Sequence, residues 1–176
     1  MAVWQYDVAL VPKAGIIRHH GSVPDELPGH RAVWNPQDTM DEASPNYWQG
    51  AEPPERLAQE IEHILPPIPS WSGKALMFGN GQGHRMEIWL ADEIRFRFDL
   101  RHFDLDLLRS VVRFARTHGL LWVSDTHGCP IPPELERVIQ DIQVSDAYRF
   151  CQNPEGYLKA LPKEAKVPPL PNAGPS

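Results

Sequence analysis

The chain reads as an α+β protein: a mainly antiparallel sheet of about five strands in a two-layer arrangement, packed by helices on one face. Three observations predict this. Met86, Ile88 and Leu90 alternate with Glu87, Trp89 and Ala91, and Ile94, Phe96, Phe98 and Leu100 alternate with Arg95, Arg97, Asp99 and Arg101. Period-two alternation marks strands with one buried face. A tight turn at Asp92-Glu93 joins the two runs. A helical stripe of Leu107, Leu108, Val111, Val112, Phe114 and Ala115 follows, and then a continuous apolar strand over residues 120–124.

The remaining elements follow from the same signals. Trp4, Tyr6, Val8 and Leu10 alternate with Gln5, Asp7 and Ala9, which predicts a strand over residues 3–11. Residues 16–20 return as a second short strand after Lys13-Ala14-Gly15. Residues 21–53 are rich in Pro, Asp, Asn and Gly, with Trp34, Tyr47 and Trp48 embedded. A connection of this length is functional or partly disordered, and the aromatics are expected to pin it to the body. Pro53-Pro54-Glu55 opens a helix to about residue 65, with Leu57, Ile61, Ile64 and Leu65 as its apolar stripe, and Pro66-Pro67 ends it. A strand over 74–79 and the loop Gly79-Asn80-Gly81-Gln82-Gly83 lead into the strand at 85–91. Asp104 is the expected N-cap of a helix over 105–118, and Gly119 its left-handed stop. Pro132-Pro133-Glu134 opens a helix to about residue 142, and two short helical pieces start at Ser145-Asp146 and Asn153-Pro154. Residues 1–161 form one domain by this reading. Residues 162–176, with five prolines, form a disordered tail.

Bulk properties narrow the function classes. The 176 residues are enough for one domain with a real core. A net charge of −6 argues against nucleic-acid binding and suits a basic partner. No apolar run reaches the roughly 18 residues of a membrane span, and the first seven residues lack the pattern of a signal peptide. Cys129 and Cys151 make no disulfide framework, so the cytoplasm is the expected compartment.

Several constellations carry chemistry in principle. With Leu90 across from Ile94, Glu87 falls opposite Arg97 as an ion pair and Trp89 opposite Arg95 as a cation–π contact, and Arg101 extends the row. Such a row is either a solvated sheet face or a binding surface, since Trp and Arg concentrate in interface hot spots. The acidic segment Asp38, Asp41 and Glu42, with Trp34 and Trp48, is a second candidate surface. Asp125-Thr126-His127-Gly128-Cys129 holds three metal-ligand types and a Cys/His pair. It lacks a recognised ligand spacing, so neither metal nor cofactor is expected. The Gly79–Gly83 glycines join two strands instead of a strand and a helix, which fits a hairpin loop and not a phosphate cradle. His19 and His20, placed in a strand, point to opposite faces and do not share a metal. No pair of carboxylates is brought together by spacing, and no catalytic residue is assigned.

Trp48-Gln49-Gly50, Ser70-Trp71-Ser72, Gly83-His84-Arg85-Met86-Glu87-Ile88-Trp89 and Phe98-Asp99-Leu100-Arg101, within residues 45–160, resemble small bacterial α+β proteins. Some of these are immunity proteins, which neutralise secreted toxins by binding them. The resemblance implies a non-catalytic protein whose partner is a protein such as a toxin domain, with neither nucleic acid nor membrane involved. No residue role carries over from that resemblance; the charged row and the acidic segment give the expected binding residues Glu87, Trp89, Arg95, Arg97 and Arg101, with Trp34 and Trp48. The competing reading is an enzyme or small-ligand sensor centred on Asp125 to Cys129.

Overall fold

The computed structural model describes residues 3–27, 45–51 and 54–160. Trp34, the acidic segment at 38–42 and the proline-rich tail lie outside the described residues. The fold is α+β. Among the described residues its seven strands are β1 (Gln5–Pro12), β2 (Pro67–Ile68), β3 (Ala75–Gly79), β4 (Arg85–Trp89), β5 (Glu93–Asp99), β6 (Leu120–Ser124) and β7 (Pro130–Ile131). They form one antiparallel sheet in the order β2-β3-β4-β5-β1-β6-β7. About five strands are expected from periodicity. The two additional ones are two-residue strands that begin with proline, too short to show alternation. They occupy the two edges, and such short, proline-bearing strands discourage pairing with another chain.

One face of the sheet carries Tyr6, Val8, Leu10, Phe78, Met86, Ile88, Ile94, Phe96, Phe98, Leu120 and Trp122. Four helices close it: α2 (Ala58–Glu62, preceded by a 3-10 turn at Pro54–Leu57), α3 (Leu105–Thr117), α4 (Leu135–Val144) and α5 (Asp146–Gln152). A further helix, α6 (Pro154–Ala160), packs on α5 through Tyr157 and Phe150, whose ring centroids are 5.9 Å apart. Asp104 caps α3 by accepting from the Leu107 amide at 2.9 Å, and Gly119 turns the chain at φ 62°. In this core the Trp122 indole donates to the Tyr6 hydroxyl at 2.9 Å, and Tyr6 donates to Asp141 of α4. Burial, then Asp141, pushes the Tyr6 phenol well above its ordinary range, so it stays a donor.

Helices are not confined to that face. Residues 13–20 form a helix, α1 (Lys13–His20), where a returning strand is expected. A strand would split Ile16 and Ile17 between two faces. The helix instead buries Gly15 and Ile16 and leaves Ile17 at the surface. Gly21, at φ 76°, ends it by donating its amide to the Ile17 carbonyl. Ile16 packs with Leu27 and Tyr47 over Ala9, Val11, Leu121 and Val123, so this half of the sheet has a second layer. Gly15 is required here: a Cβ would sit 1.9 Å from the Tyr47 carbonyl oxygen.

The α1 helix also changes the histidine reading. His19 and His20 both reach Tyr47, with ring centroids at 5.6 and 5.7 Å, and His20 Nε2 lies 3.0 Å from its hydroxyl. They clasp residues 45–51. Tyr47 enters the smaller cluster and Trp48 the larger, so the segment rounds the sheet between them.

Candidate functional site: a charged sheet face

On the second face, the half built from β3, β4 and β5 carries charge in place of an apolar layer. Antiparallel partners share a face. One row therefore runs Ile68, Met77, Glu87, Arg95 and Ala9. Flanking rows place Ala75, Trp89 and Glu93 on one side, and Gly79, Arg85, Arg97 and Asp7 on the other.

This register corrects the expected pairs. Glu87 lies opposite Arg95 instead of Arg97, and Trp89 opposite Glu93 instead of Arg95. The hairpin turn falls one residue earlier, centred on Ala91 at φ 60°. That turn is held from outside: the Ala91 amide donates to Glu55 and its carbonyl accepts from Asn46, at 3.1 and 3.0 Å. Each partner shifts by two positions, so every side chain keeps its face and only the pairings change.

Arg95 and Arg97 are held by carboxylates that alternation alone does not bring together. Arg95 Nη2 donates to both oxygens of Asp125, at 2.7 and 2.5 Å, and its Nη1 lies 3.6 Å from Glu93. Arg97 Nε donates to Asp7 at 2.7 Å. Arg85 pairs with Glu87 at 3.0 Å, and Glu87 also accepts from the Trp89 indole at 3.2 Å. Four carboxylates (Asp7, Glu87, Glu93, Asp125) thus share three guanidiniums. Burial and this excess of carboxylates both bear on their protonation. Burial pushes Asp125 up to about 6, against the lowering effect of Arg95 and with Asp7 reinforcing the rise. Burial likewise raises Glu93, with Asp125, Asp92 and Glu87 adding to it and Arg95 opposing. Burial pulls the Arg95 guanidinium down, but Glu93, Asp125 and Asp7 more than offset this and hold it charged. The involvement of Asp7 and Asp125 has a weak sequence signal: each is a lone carboxylate in or just after an apolar strand.

The structure separates the other expected residues from this face. β5 ends at Asp99, whose buried carboxylate accepts from the Arg101 backbone amide at 3.0 Å, from its Nε at 3.0 Å and from its Nη2 at 2.6 Å. The chain turns into a 3-10 segment, Leu100–His102, and the Arg101 guanidinium lies 4.3 Å over the Trp4 ring. Arg101 therefore does not extend the row. Trp48 is buried in the helix-side core. Trp71, by contrast, is 71% exposed and meets Trp89 edge-on at 5.5 Å, which alternation within strands gives no reason to expect.

The Asp125 to Cys129 loop does not gather its chemistry. Asp125 faces Arg95, Cys129 Sγ is 3.5 Å from the His127 carbonyl, and the Gly128 carbonyl accepts from the Leu27 amide. Among the described residues no three His, Cys, Asp or Glu side chains converge as a metal site. None of the described helices is long and apolar enough to cross a membrane. The Gly79–Gly83 loop joins β3 to β4, with Asn80 Oδ1 accepting from the amides of Gln82 and His84. Comparison with protein-family models, curated proteins and solved structures found no match. The functional reading therefore rests on the residues themselves.

Proposed function

We propose that this chain is a non-catalytic binding domain that holds another protein against the β3–β5 half of its second sheet face. One observation carries the reading: Trp71, largely exposed and edge-on to Trp89, beside a row of partly exposed arginines that α1 leaves uncovered. Exposed tryptophan next to arginine is the composition of an interface hot spot. The proline-bearing edge strands are poor sites for strand addition, which favours contact through the face. The net charge of −6 suits a basic partner and would speed its association. A toxin domain neutralised by occlusion, as the resemblance to immunity proteins implies, is a partner of that kind.

A second reading, an enzyme or sensor at Asp125, is favoured by its carboxyl titrating near 6. The engagement of both its oxygens by Arg95 leaves it little freedom to act on a substrate.

The test is alanine substitution. Trp71→Ala and Arg97→Ala should each weaken the captured partner by roughly tenfold or more, as hot-spot truncations do. Arg137→Ala on α4 should change nothing. Equal binding by all three variants would remove this face from the function.

A further inference from the structure

Resting on that reading, we infer that the corner formed by Trp71, Trp89, Glu87 and Glu93 receives a basic side chain, guanidinium or ammonium, from the protein partner.

The argument is one of charge complementarity at an open sheet face. Trp89 and Glu93 are direct cross-strand partners, and the Trp89 indole is tied to Glu87 at 3.2 Å. Trp71 stands across Trp89 with a 66° angle between the rings. Two aromatic rings at a steep angle, bordered by carboxylates, are the arrangement that attracts a cation, through the ring quadrupoles and the carboxylate charge together. Glu93 shares its counterion with a second carboxylate. Its nearest guanidinium, Arg95, stands at 3.6 Å because that group is drawn to Asp125 at 2.5 Å. The side chain of Glu93 keeps 25% of its surface open. Burial raises its carboxyl first, Arg95 opposes this, and the neighbouring Asp125, Asp92 and Glu87 add to the rise. A cation arriving from outside would add positive charge to a face where four carboxylates share three guanidiniums.

The probe is N-acetyl-argininamide, titrated into the 15N-labelled full chain while the indole N–H signals of Trp71 and Trp89 are followed. Potassium chloride at matched ionic strength and N-acetyl-glutaminamide serve as controls. The expected result is saturable movement of both indole signals with the arginine probe alone. Its midpoint should rise at least fivefold in Glu93→Gln and in Trp71→Ala. Glu93→Gln is nearly isosteric and Trp71 is a surface side chain, so both variants should fold, and the unmoved signal of buried Trp122 verifies this. Movement no larger than with salt, or an unchanged midpoint in Glu93→Gln, would overturn the assignment. Tighter binding of tetramethylammonium than of the arginine probe would also overturn it, in favour of a small quaternary amine. The two levels fail separately. A partner held equally by wild type and Glu93→Gln leaves protein binding standing and removes the cation corner. A saturating probe with no captured partner does the reverse.

Discussion

Arg95 of β5 grips both carboxylate oxygens of Asp125 through a single guanidinium nitrogen, across 30 residues of sequence, although β5 and β6, the strand Asp125 follows, are not neighbours in the sheet. The contact ties the loop after β6 to the middle of β5 and passes over Asp7 of β1, whose carbonyl also accepts from the Asp125 amide at 3.1 Å. It joins the apolar half of the second face to its charged half. Arg95→Met should leave Glu93 and Asp125 without their shared counterion and destabilise the fold by about 2 kcal/mol. Removing one partner of a fully buried pair costs about 3–5 kcal/mol, and solvent at this guanidinium, 34% exposed, screens part of that. Urea denaturation of Arg95→Met, Asp125→Asn and the double variant measures it; the double variant should be less damaged than the sum of the singles.

Asp125 should make the protein less stable as pH rises through 6. Its folded pKa, about 6, lies above the unfolded value near 3.9. The folded state therefore holds the extra proton between those limits. The stability this provides is complete below about pH 4 and is lost by the time pH passes 6. The expected slope approaches about −1.4 kcal/mol per pH unit within that window. The difference in unfolding free energy between wild type and Asp125→Asn, measured from pH 4 to 7, isolates it. A flat difference would contradict the burial of that carboxyl.

His84 works in the opposite direction. Its Nδ1 accepts from the Asp99 amide at 3.1 Å and its Nε2 donates to the His102 carbonyl at 2.9 Å. Both ring positions are committed to the neutral Nε2–H tautomer, and burial lowers the pKa despite the raising influence of the His102 carbonyl, Asp104 and Asp99. A folded pKa below the unfolded value of about 6.5 means stability that is present above that value and lost as pH falls below it. Ring 15N shifts should show a protonated Nε2 and a bare Nδ1 at pH 7, with titration displaced to lower pH. A titration midpoint at or above 6.5 would contradict the geometry.

Ala91 should be improved by glycine. A φ of 60° costs an L-residue about 1 kcal/mol or more, which glycine avoids. Part of that gain is offset by the larger entropy of glycine in the unfolded chain. Ala91→Gly is expected to stabilise the protein by roughly 0.5 kcal/mol, read as a rise in the urea midpoint with an unchanged slope. Ala91→Val should lower the midpoint.

Most of the frame was legible because alternation and capping are local signals. β4, β5, α3 and β6 announce themselves through Met86 to Phe98, the Asp104 cap and the Leu107 to Ala115 stripe. What escaped is non-local. The hairpin register depends on Glu55 and Asn46 holding a left-handed Ala91, which no pattern within residues 85–101 encodes. The helix at Lys13–His20 is selected by Ile16 finding Val11, Leu121 and Val123, and by Gly15 passing close beneath Tyr47. The charged row was readable as side-chain types on one face, but its ionic partners Asp7 and Asp125 come from strands whose place beside β5 follows only from the sheet order. Arg101 left the row because Asp99, two residues earlier, captures it.

The central claim is that the β3–β5 face binds a protein. A photo-crosslinker at position 68, on that face, and another at position 137, on α4, would be compared during tagged capture from the native cell. The account predicts a stoichiometric partner bearing a basic surface, crosslinked from position 68 and not from position 137. Crosslinking from position 137 alone, or a chain that emerges with no partner from either, would contradict it.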